Sequence, residues 1–311
     1  MTKRLALTLS AAFVVAALAA AAGSAGGSAL KGTITADGSS TVGPYTTAAA
    51  EGFHKLHSKV NVTVGISGTG GGFERFCRGE IDLANASRGI KASENKLCAD
   101  NGIRYVAFTV ANDGIAIVVN KQNTWASCLT VEQLHKMWEP GSNLDNWKDV
   151  SPSFPDQDLK LFGPGTDSGT FDFFTEKING KAKASRPDYF PSENDNVIVQ
   201  GVSGEKGGLG YFGLSYYTEN KSKLNLVKVN AGAGCVAPNI KTVQSRRYKP
   251  LSRPLFIYVK KTSFKRAEVS AFIGYILKNE RAIAKKSRFV SLTDPQLALA
   301  RERYRQTRPR R

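Results

Sequence analysis

Apolar and polar positions follow two periods along the chain, one typical of strands and one typical of helices. A short strand at residues 33–36 enters a polar turn, and apolar residues spaced by three and four then predict an amphipathic helix over 45–56. An alternating stretch at 60–68 precedes a helix around 73–78 and a buried strand around 82–86. Strand, turn, helix and strand in this order are typical of a parallel sheet.

The second half of the chain repeats this order. Two apolar stretches flank residues 112–114 and can carry the chain from one sheet into another. A helix is predicted at 130–138, where Pro-Gly ends it, and a strand, a turn and a helix follow between 159 and 178. The pattern then predicts a strand after Arg253 and one long helix over 267–286. No sequence unit recurs at a fixed interval along the chain. The pattern predicts an α/β fold, in which ligands are expected at the carboxyl ends of the strands.

The first 29 residues have the pattern of a secretory signal peptide. Lys3 and Arg4 precede an Ala-rich apolar run, and small residues follow it, which allows cleavage after Ala22, Ala25 or Ala29. No cysteine lies near this region, so we expect an exported, periplasmic or extracellular protein without a lipid anchor. A mature chain of about 280 residues is longer than a single hydrophobic core usually supports. We therefore expect two lobes, one formed by 31–111 with 250–311 and the other by 112–249.

The four cysteines favour two disulfides. They are even in number in a chain with an export signal, and their spacing fits no zinc motif. Three pairings are possible in principle. We expect Cys77 to pair with Cys98 and Cys128 with Cys235, because each pair then lies within one predicted lobe.

Positive charge is concentrated at the carboxyl end of the chain. The net charge is +17, and residues 241–311 carry 20 Lys and Arg against 4 Asp and Glu. Such a segment can hold an acidic surface or nucleic acid, or raise the local concentration of anions. The alternative is a solvated helix face with a frayed tail.

The sequence gives only weak support to a serine hydrolase or a nucleotide-binding enzyme. His54 or His57, Asp113 and Ser168 occur in the order of one family of serine proteases, but that fold is all-β, and the histidines lie in a predicted surface helix. Without a nearby base, a serine is an ordinary alcohol. The stretch "SGTGGGF" at 67–73 lacks both the Lys of a P-loop and the third glycine of a dinucleotide loop.

Four turns share one composition that suits an anion. They are "DGSST" at 37–41, "SGTGGG" at 67–72, "NASRG" at 85–89 and "GTDSGT" at 165–170, and each follows a predicted strand. Glycines before a helix let backbone N–H groups point at an anion near the positive end of the helix dipole. Together the four turns predict a cage of hydroxyl and amide donors for a small tetrahedral oxyanion.

Several linked motifs resemble the substrate-binding proteins of phosphate ABC importers. They are "ADGSSTVGP", "SGTGGGFERFCRGEIDLANASRGIK", "LFGPGTDSGTFDFFTE" and "DNVIVQGVSGEKGGLGYFG", which together span most of the mature chain. The resemblance implies a two-lobed periplasmic binding protein of type II with a hinge. It also implies high-affinity binding of inorganic phosphate in the cleft and its delivery to a membrane-embedded ABC permease. We accordingly expect a monomer without enzymatic activity, cofactor, metal or nucleic-acid partner.

The resemblance also assigns ligand donors by position. The motifs that match the family's anion-binding turns contain Ser40, Thr41, Thr69, Gly70, Ser168, Gly169 and Thr170. By this mapping Ser168 is a ligand donor rather than a nucleophile.

Two departures from the family pattern concern discrimination against sulfate. Many members have an Asp where this chain has Ser87, and a carboxylate there accepts a hydrogen bond from the proton that phosphate carries near neutral pH. The Ser87 hydroxyl, Asp37 or Asp167 are the available substitutes. Some members also have an Arg before the "SGT" motif, and here Arg88 is the expected substitute. A binder of sulfate or molybdate on the same fold, or an adhesin using the basic end, are the alternatives.

Overall fold

Strands and helices alternate along most of the chain, as the apolar pattern predicts. The computed structural model describes residues 30–308, which contain 11 strands and 12 α-helices. The strands are β1 (Gly32–Gly38), β2 (Val60–Val64), β3 (Leu83–Ala86), β4 (Tyr105–Asn120), β5 (Cys128–Thr130), β6 (Lys160–Pro164), β7 (Phe190–Ser192), β8 (Gly208–Gly213), β9 (Leu224–Asn230), β10 (Cys235–Val236) and β11 (Ser252–Lys260). The helices are α1 (Gly43–His54), α2 (Gly68–Cys77), α3 (Ala92–Asp100), α4 (Val131–Trp138), α5 (Trp147–Val150), α6 (Gly169–Ile178), α7 (Asp195–Gly204), α8 (Leu214–Asn220), α9 (Ile240–Gln244), α10 (Ala267–Lys278), α11 (Glu280–Lys286) and α12 (Asp294–Thr307).

The strands form two mixed sheet regions that share the long strand β4. In the first region the order is β2-β1-β3-β11-β4, in which β2, β1 and β3 are parallel and β11 is antiparallel to both neighbours. In the second region β4 is antiparallel to β8, while β8, β6 and β7 are parallel to one another. Strand β9 pairs with β4 and with the short strands β5 and β10. The carboxyl ends of β1, β2 and β3 therefore lie at one edge, and that of β6 lies in the other region.

Three chain segments lie side by side where one sheet region passes into the other. In β4, Asn112 pairs with Pro254 of β11 on one side and forms a bridge to Val290 on the other. The backbone N–H of Ile115 donates to the carbonyl of Leu251 at 3.0 Å. We call the segments 111–115, 251–255 and 288–292 the crossing ribbon.

The third segment of the crossing ribbon is fastened at both of its ends. Toward the second sheet region, the Arg288 carbonyl accepts from the Ser215 hydroxyl at 3.0 Å, and the Arg288 side chain is paired with Glu219. Toward the first, the backbone N–H of Leu292 donates to the buried Glu280 carboxylate at 2.7 Å. The segment is thus held by groups on both sides of the passage.

Buried apolar side chains divide into a core around each sheet region. One cluster includes Ile34, Phe53, Phe108, Ile257 and Phe272, and a smaller cluster around Phe73 and Phe76 adjoins the same sheet. The largest cluster packs on β4, β6 and β8 and includes Trp138, Phe174 and Tyr211. Leu251 and Val290 pack in this largest cluster, although they lie within the range 250–311 that we assigned to the other lobe.

Both expected disulfides are present. Cys77 is bonded to Cys98, which joins α2 to α3, and Cys128 is bonded to Cys235, which joins β5 to β10. The pairing within each predicted lobe is therefore confirmed.

Removing the second disulfide should destabilise the protein appreciably. Cys128 and Cys235 are 107 residues apart, so the bond restricts a long loop of the unfolded chain. Replacing both with Ser is expected to lower the free energy of unfolding by about 2–4 kcal/mol, measured by urea denaturation. An unchanged denaturation midpoint would contradict this prediction.

The helices at the carboxyl end differ from the pattern prediction. Residues 267–286 form two helices rather than one, because Asn279 ends α10 and begins α11. Residues after 293 form the helix α12, whose first turn is capped by the Thr293 hydroxyl accepting from the backbone N–H of Gln296. The predicted signal peptide lies outside the described residues. Across 30–308, no helix combines the length and the apolar character that a membrane span requires.

Candidate functional site

The donor-rich turns of the first sheet region lie together at the carboxyl ends of β1, β2 and β3. Backbone hydrogen bonds tie them, since the N–H of Ser39 donates to the carbonyl of Asn85 at 2.9 Å. Close packing requires glycine here, because a Cβ on Gly72 of α2 would lie 2.4 Å from the Cα of Gly38. The segments 37–41, 67–72 and 85–89 therefore meet, as the sequence predicts, although residues 68–72 form the beginning of α2 rather than a turn before it.

Asp37 holds two of these turns in place. Its Oδ1 accepts from the backbone N–H groups of Gly38 at 2.7 Å and Ser67 at 3.0 Å, and its Oδ2 is paired with Arg75. Asp37 is buried, and these contacts occupy both of its oxygens. Its role is to organise the turns, so it is a poor candidate for the missing acceptor.

Thr69, Ser87 and Arg88 are brought together on the same side. The hydroxyls of Thr69 and Ser87 lie 3.1 Å apart, and the backbone N–H of Ser87 donates to the Thr69 hydroxyl at 3.3 Å. The two terminal nitrogens of Arg88 donate to Glu94 at 2.7 and 2.8 Å, which raises the pKa of the Arg88 guanidinium. Gly70 is exposed beside this arginine. Arg88 thus lies near the turns, and its guanidinium group is paired with the Glu94 carboxylate.

The fourth turn faces the first three from the second sheet region. Ser168 caps α6, and its hydroxyl accepts from the backbone N–H of Thr170 at 3.2 Å. Gly169 lies directly against Thr41 of the first region, where a Cβ on this glycine would lie 2.3 Å from the Thr41 hydroxyl oxygen. The positive end of the α6 dipole therefore meets the turn after β1.

Arg253 connects the two sides of this contact and was not predicted. Its Nη2 donates to the Thr41 hydroxyl at 2.7 Å and to the Gly169 carbonyl at 3.3 Å, and its Nε pairs with Asp113 at 3.2 Å. The guanidinium carbon lies 3.7 Å from the centroid of the Phe173 ring. Burial lowers the pKa of Arg253, and the Asp113 carboxylate opposes this effect.

The sequence does contain a signal for Arg253. Along β11 the inward positions are Arg253, Leu255 and Ile257, so an arginine stands where the alternation calls for an apolar residue. Guanidinium groups that are buried need partners, and such a position points to a site.

Asp172, in the first turn of α6, was also not predicted. Burial raises the pKa of this carboxyl group; the nearby charges of Lys183 and Arg253 oppose the rise, and Glu176 adds to it. Its Oδ1 is buried and has no hydrogen-bond partner among residues 30–308. By contrast, Asp167, which was considered from sequence as an acceptor, is exposed.

A cavity of about 280 Å³ lies between the two sides of the site. Ser87, Arg88 and Phe256 line it from the first region, Phe173 from α6, and Arg253 from the crossing ribbon. Two of the predicted ligand residues, Ser87 and Arg88, therefore border the space between the two sheet regions.

Ser168 lacks the partners of a nucleophile in the described structure. The three histidines contact other groups: His54 contacts the Val60 carbonyl, His57 packs against the Phe53 ring at a tilted angle, and His135 contacts Asn179. Asp113 is paired with Arg253 rather than with a histidine. The catalytic order considered from the sequence is thus not assembled.

Two α/β regions joined by crossing strands, with donor-rich turns of both meeting across a cleft, define the class of type II periplasmic binding proteins. A model of the PBP superfamily domain matches residues 23–280. The phosphate-binding protein PstS of Staphylococcus saprophyticus is 41% identical over 266 residues, which cover 84% of this chain and 81% of that protein. Protein SphX of Synechococcus elongatus is 46% identical over 281 residues, covering 89% and 83%.

Two solved structures are similar to this chain as well. The crystal structure of a possible phosphate binding protein from Planctomyces limnophilus matches with a TM-score of 0.86 at 46% identity, covering 89% of this chain and 99% of that one. An ABC-type phosphate transport receptor from Vibrio cholerae shares the fold, with a TM-score of 0.64 at 22% identity and coverage of 84% and 100%. The chain therefore belongs to the PBP superfamily and, within it, to the family of the phosphate-binding protein PstS. This is a family of substrate-binding receptors that work in the periplasm or outside the cell.

Proposed function

We propose that this protein binds inorganic phosphate with high affinity in its cleft and delivers it to a membrane-embedded ABC permease. The observation that carries the proposal is the contact between the amino end of α6 and the turn after β1, with Arg253 donating to both. A helix amino terminus, clustered hydroxyls and an arginine are the groups that bind a phosphate. The identity to proteins named for phosphate binding supports the same ligand.

The proposed ligand set comes from four turns and one strand. Backbone N–H groups at the amino ends of helices supply fixed partial positive charge, and hydroxyls supply donors without net charge. Arg253 contributes a guanidinium group, and the Asp113 carboxylate partly balances its positive charge. The set is Ser40, Thr41, Thr69, Gly70, Ser87, Arg88, Ser168, Gly169, Thr170 and Arg253.

The remaining parts of the proposal concern the state of the protein. It is exported, its signal peptide is removed, and it acts as a monomer without catalytic turnover. Its lobes are formed by about 31–111 with 250–311 and by about 112–249, and they close around the ligand by bending at the crossing ribbon.

Calorimetric titration tests the proposal. The mature protein, freed of bound ligand by unfolding and refolding, is titrated with phosphate and then with sulfate at constant ionic strength. Tight one-to-one binding of phosphate without a sulfate signal is the expected result. Binding of sulfate in preference to phosphate would favour the other oxyanion function, which the Ser87 substitution keeps open, and binding of neither would reject the proposed function.

Replacing Arg88 with Ala should weaken phosphate binding by about tenfold or more, which corresponds to about 1.4 kcal/mol. The side chain borders the cavity, and its guanidinium adds positive charge there although Glu94 holds its fork. The dissociation constant is measured by the same titration. An unchanged constant would remove Arg88 from the ligand set and leave it as the partner of Glu94.

A further inference from the structure

We infer that the outer end of the first sheet region is a docking surface for an anionic phospholipid bilayer, which holds the protein reversibly at a membrane. This surface lies at the end of the region opposite to the cleft. The inference goes beyond the proposed binding of phosphate and does not depend on it. We call the surface the basic pole, and its exposed side chains are Arg104, Lys261, Lys265, Arg303 and Arg308.

Positive charge is divided unequally between the two sheet regions. The ranges 31–111 and 250–308, which mainly build the first region, contain 23 Lys and Arg against 11 Asp and Glu, a net charge of +12. The range 112–249, which mainly builds the second, contains 16 against 15, a net charge of +1. An anionic surface therefore attracts the first region much more strongly than the second, and turns that end of the molecule toward itself.

The sheet places the basic pole on the side opposite to the donor-rich turns. Those turns follow the carboxyl ends of β1 and β3, and β11 runs antiparallel to β3. The carboxyl end of β11, at Lys260, therefore lies at the amino end of β3, and it pairs with Tyr105 at the start of β4. The backbone N–H of Lys261 donates to the carbonyl of Arg104 at 2.8 Å, so these two basic residues lie side by side.

The turn that contains Lys265 packs against the end of α12, which supplies the arginines. The ring centroids of Phe264 and Tyr304 are 6.0 Å apart. The Arg308 guanidinium carbon lies 6.0 Å from the centroid of the same Tyr304 ring. Arg303, directly before this tyrosine, donates to a backbone carbonyl of β4 at 2.6 Å. Basic side chains from separate segments of the chain are thus gathered at one end.

The carboxylates near the basic pole are paired with other cations. Asp82 and Glu268 each pair with Arg266 at 2.9 Å, and Glu302 is paired with Arg305. Within residues 30–308, the five side chains of the pole form no ion pair with a carboxylate. Their positive charge is therefore available to a partner outside the chain.

An exposed apolar side chain favours a bilayer over a soluble acidic polymer. Leu299 is 62% exposed and lies one turn before Arg303 on the same face of α12. Basic residues beside an exposed leucine are typical of helices that lie in the headgroup layer, where the charges meet anionic lipids and the apolar group enters the acyl boundary. Each Lys or Arg near such a surface strengthens binding by about fivefold.

Co-sedimentation with lipid vesicles is the first test. The mature protein is mixed with vesicles of phosphatidylglycerol and phosphatidylcholine in equal parts, and with vesicles of phosphatidylcholine alone. We expect binding to the anionic vesicles that weakens as salt is added, because ions shorten the range of the attraction, and no binding to the neutral ones. Equal binding to both kinds of vesicle, or binding to neither, would overturn the inference. Retention on dextran sulfate without binding to anionic vesicles would assign the pole to an acidic polymer, and would also overturn it.

Two variants, each lacking five positive charges, locate the surface. The pole variant should bind anionic vesicles at least about a hundredfold more weakly. Its substitutions are Arg104→Gln, Lys261→Gln, Lys265→Gln, Arg303→Gln and Arg308→Gln. The matched control removes exposed lysines of the second sheet region and should bind within about threefold of the unaltered protein, because salt screens charges that lie away from the contact. Its substitutions are Lys148→Gln, Lys181→Gln, Lys206→Gln, Lys221→Gln and Lys223→Gln. Equal losses in both would show that binding follows net charge alone, and the inference would be wrong.

A third variant separates a bilayer from a charged polymer. Leu299→Ala should weaken binding to anionic vesicles by about fivefold and leave retention on dextran sulfate unchanged. Ile240→Ala, which shortens an exposed side chain of the second sheet region, is its control and should change neither. Vesicle binding by Leu299→Ala that equals that of the unaltered protein would contradict contact of this face of α12 with a bilayer.

Phosphate titration keeps this inference distinct from the proposed function. The pole variant should bind phosphate within about twofold of the unaltered protein, because its substitutions lie at the end opposite to the cleft, and this result also verifies its folding. Vesicle binding requires no phosphate. Failure of the unaltered protein to bind phosphate would therefore reject the proposed function and leave the vesicle result to decide the role of the basic pole.

Discussion

Replacing Arg253 with Ala is expected to abolish measurable high-affinity binding of phosphate and to destabilise the protein. The substitution removes donors to Thr41 and Gly169, which face each other across the cleft. It also leaves Asp113 buried without its partner, and breaking a buried ion pair on one side costs about 3–5 kcal/mol. Calorimetry and urea denaturation measure the two effects separately.

Two further variants separate binding from stability in this experiment. Arg186→Ala is the matched control, since Arg186 is a buried arginine paired with Asp188. Its other donors go to the backbone carbonyls of Met137 and Leu144 and to the Ser142 hydroxyl. This variant should lose stability and keep the affinity for phosphate. The double variant Arg253→Met with Asp113→Asn should regain much of the stability without regaining affinity. An Arg253→Ala protein that binds phosphate normally would remove Arg253 from the site.

Replacing Gly169 with Ala is expected to weaken phosphate binding at least about a hundredfold, or about 2.7 kcal/mol, with little effect on unfolding. A Cβ at this position would lie 2.3 Å from the hydroxyl oxygen of Thr41, 2.5 Å from its backbone nitrogen and 2.8 Å from its Cα. Backbone atoms cannot move aside as the end of a side chain can, so the contact that closes the cleft cannot form. Within a helix Ala is favoured over Gly by about 1 kcal/mol, so the local structure should be retained.

The control for this variant is Gly204→Ala. Gly204 ends α7, and no atom lies within 4 Å of the Cβ that would be added there. Its affinity for phosphate should be unchanged. Small-angle scattering provides a second measurement, since the Gly169→Ala protein should keep the same dimensions with and without phosphate. Tight binding by this variant would show that the Gly169–Thr41 contact is not needed for the bound state.

Local patterns were sufficient to predict the elements that build the site. The alternation of strands, glycine-rich turns and helices depends on residues close in sequence, and the turns at 37–41, 67–72 and 85–89 meet as expected because parallel strands align their carboxyl ends. The disulfides followed from assigning each pair to one lobe. The prediction of one helix over 267–286 was wrong because its apolar pattern continues across Asn279. The break is made there by the Asn279 side chain, which donates to the Tyr275 carbonyl at the end of α10, and by the contact of Glu280 with Leu292.

The two functional candidates that were missed depend on contacts between distant residues. Arg253 reaches Thr41, which is 212 positions away in the chain, and no local pattern encodes that contact. Asp172 lies between Phe171 and Phe173 in an amphipathic helix and has the sequence context of an ordinary solvated carboxylate. Burial and the nearby charges of Lys183, Arg253 and Glu176 give it a different environment.

In the proposed closure, the crossing ribbon restricts how the two lobes can move relative to each other. A single strand between two lobes allows rotation about several axes. Three hydrogen-bonded segments side by side allow bending about one axis and resist sliding and twisting of the lobes. Each closure would then bring Gly169 back to the same place on Thr41, without a search over orientations. Because few rigid-body freedoms remain to be lost on binding, more of the contact energy with the anion would be retained as affinity.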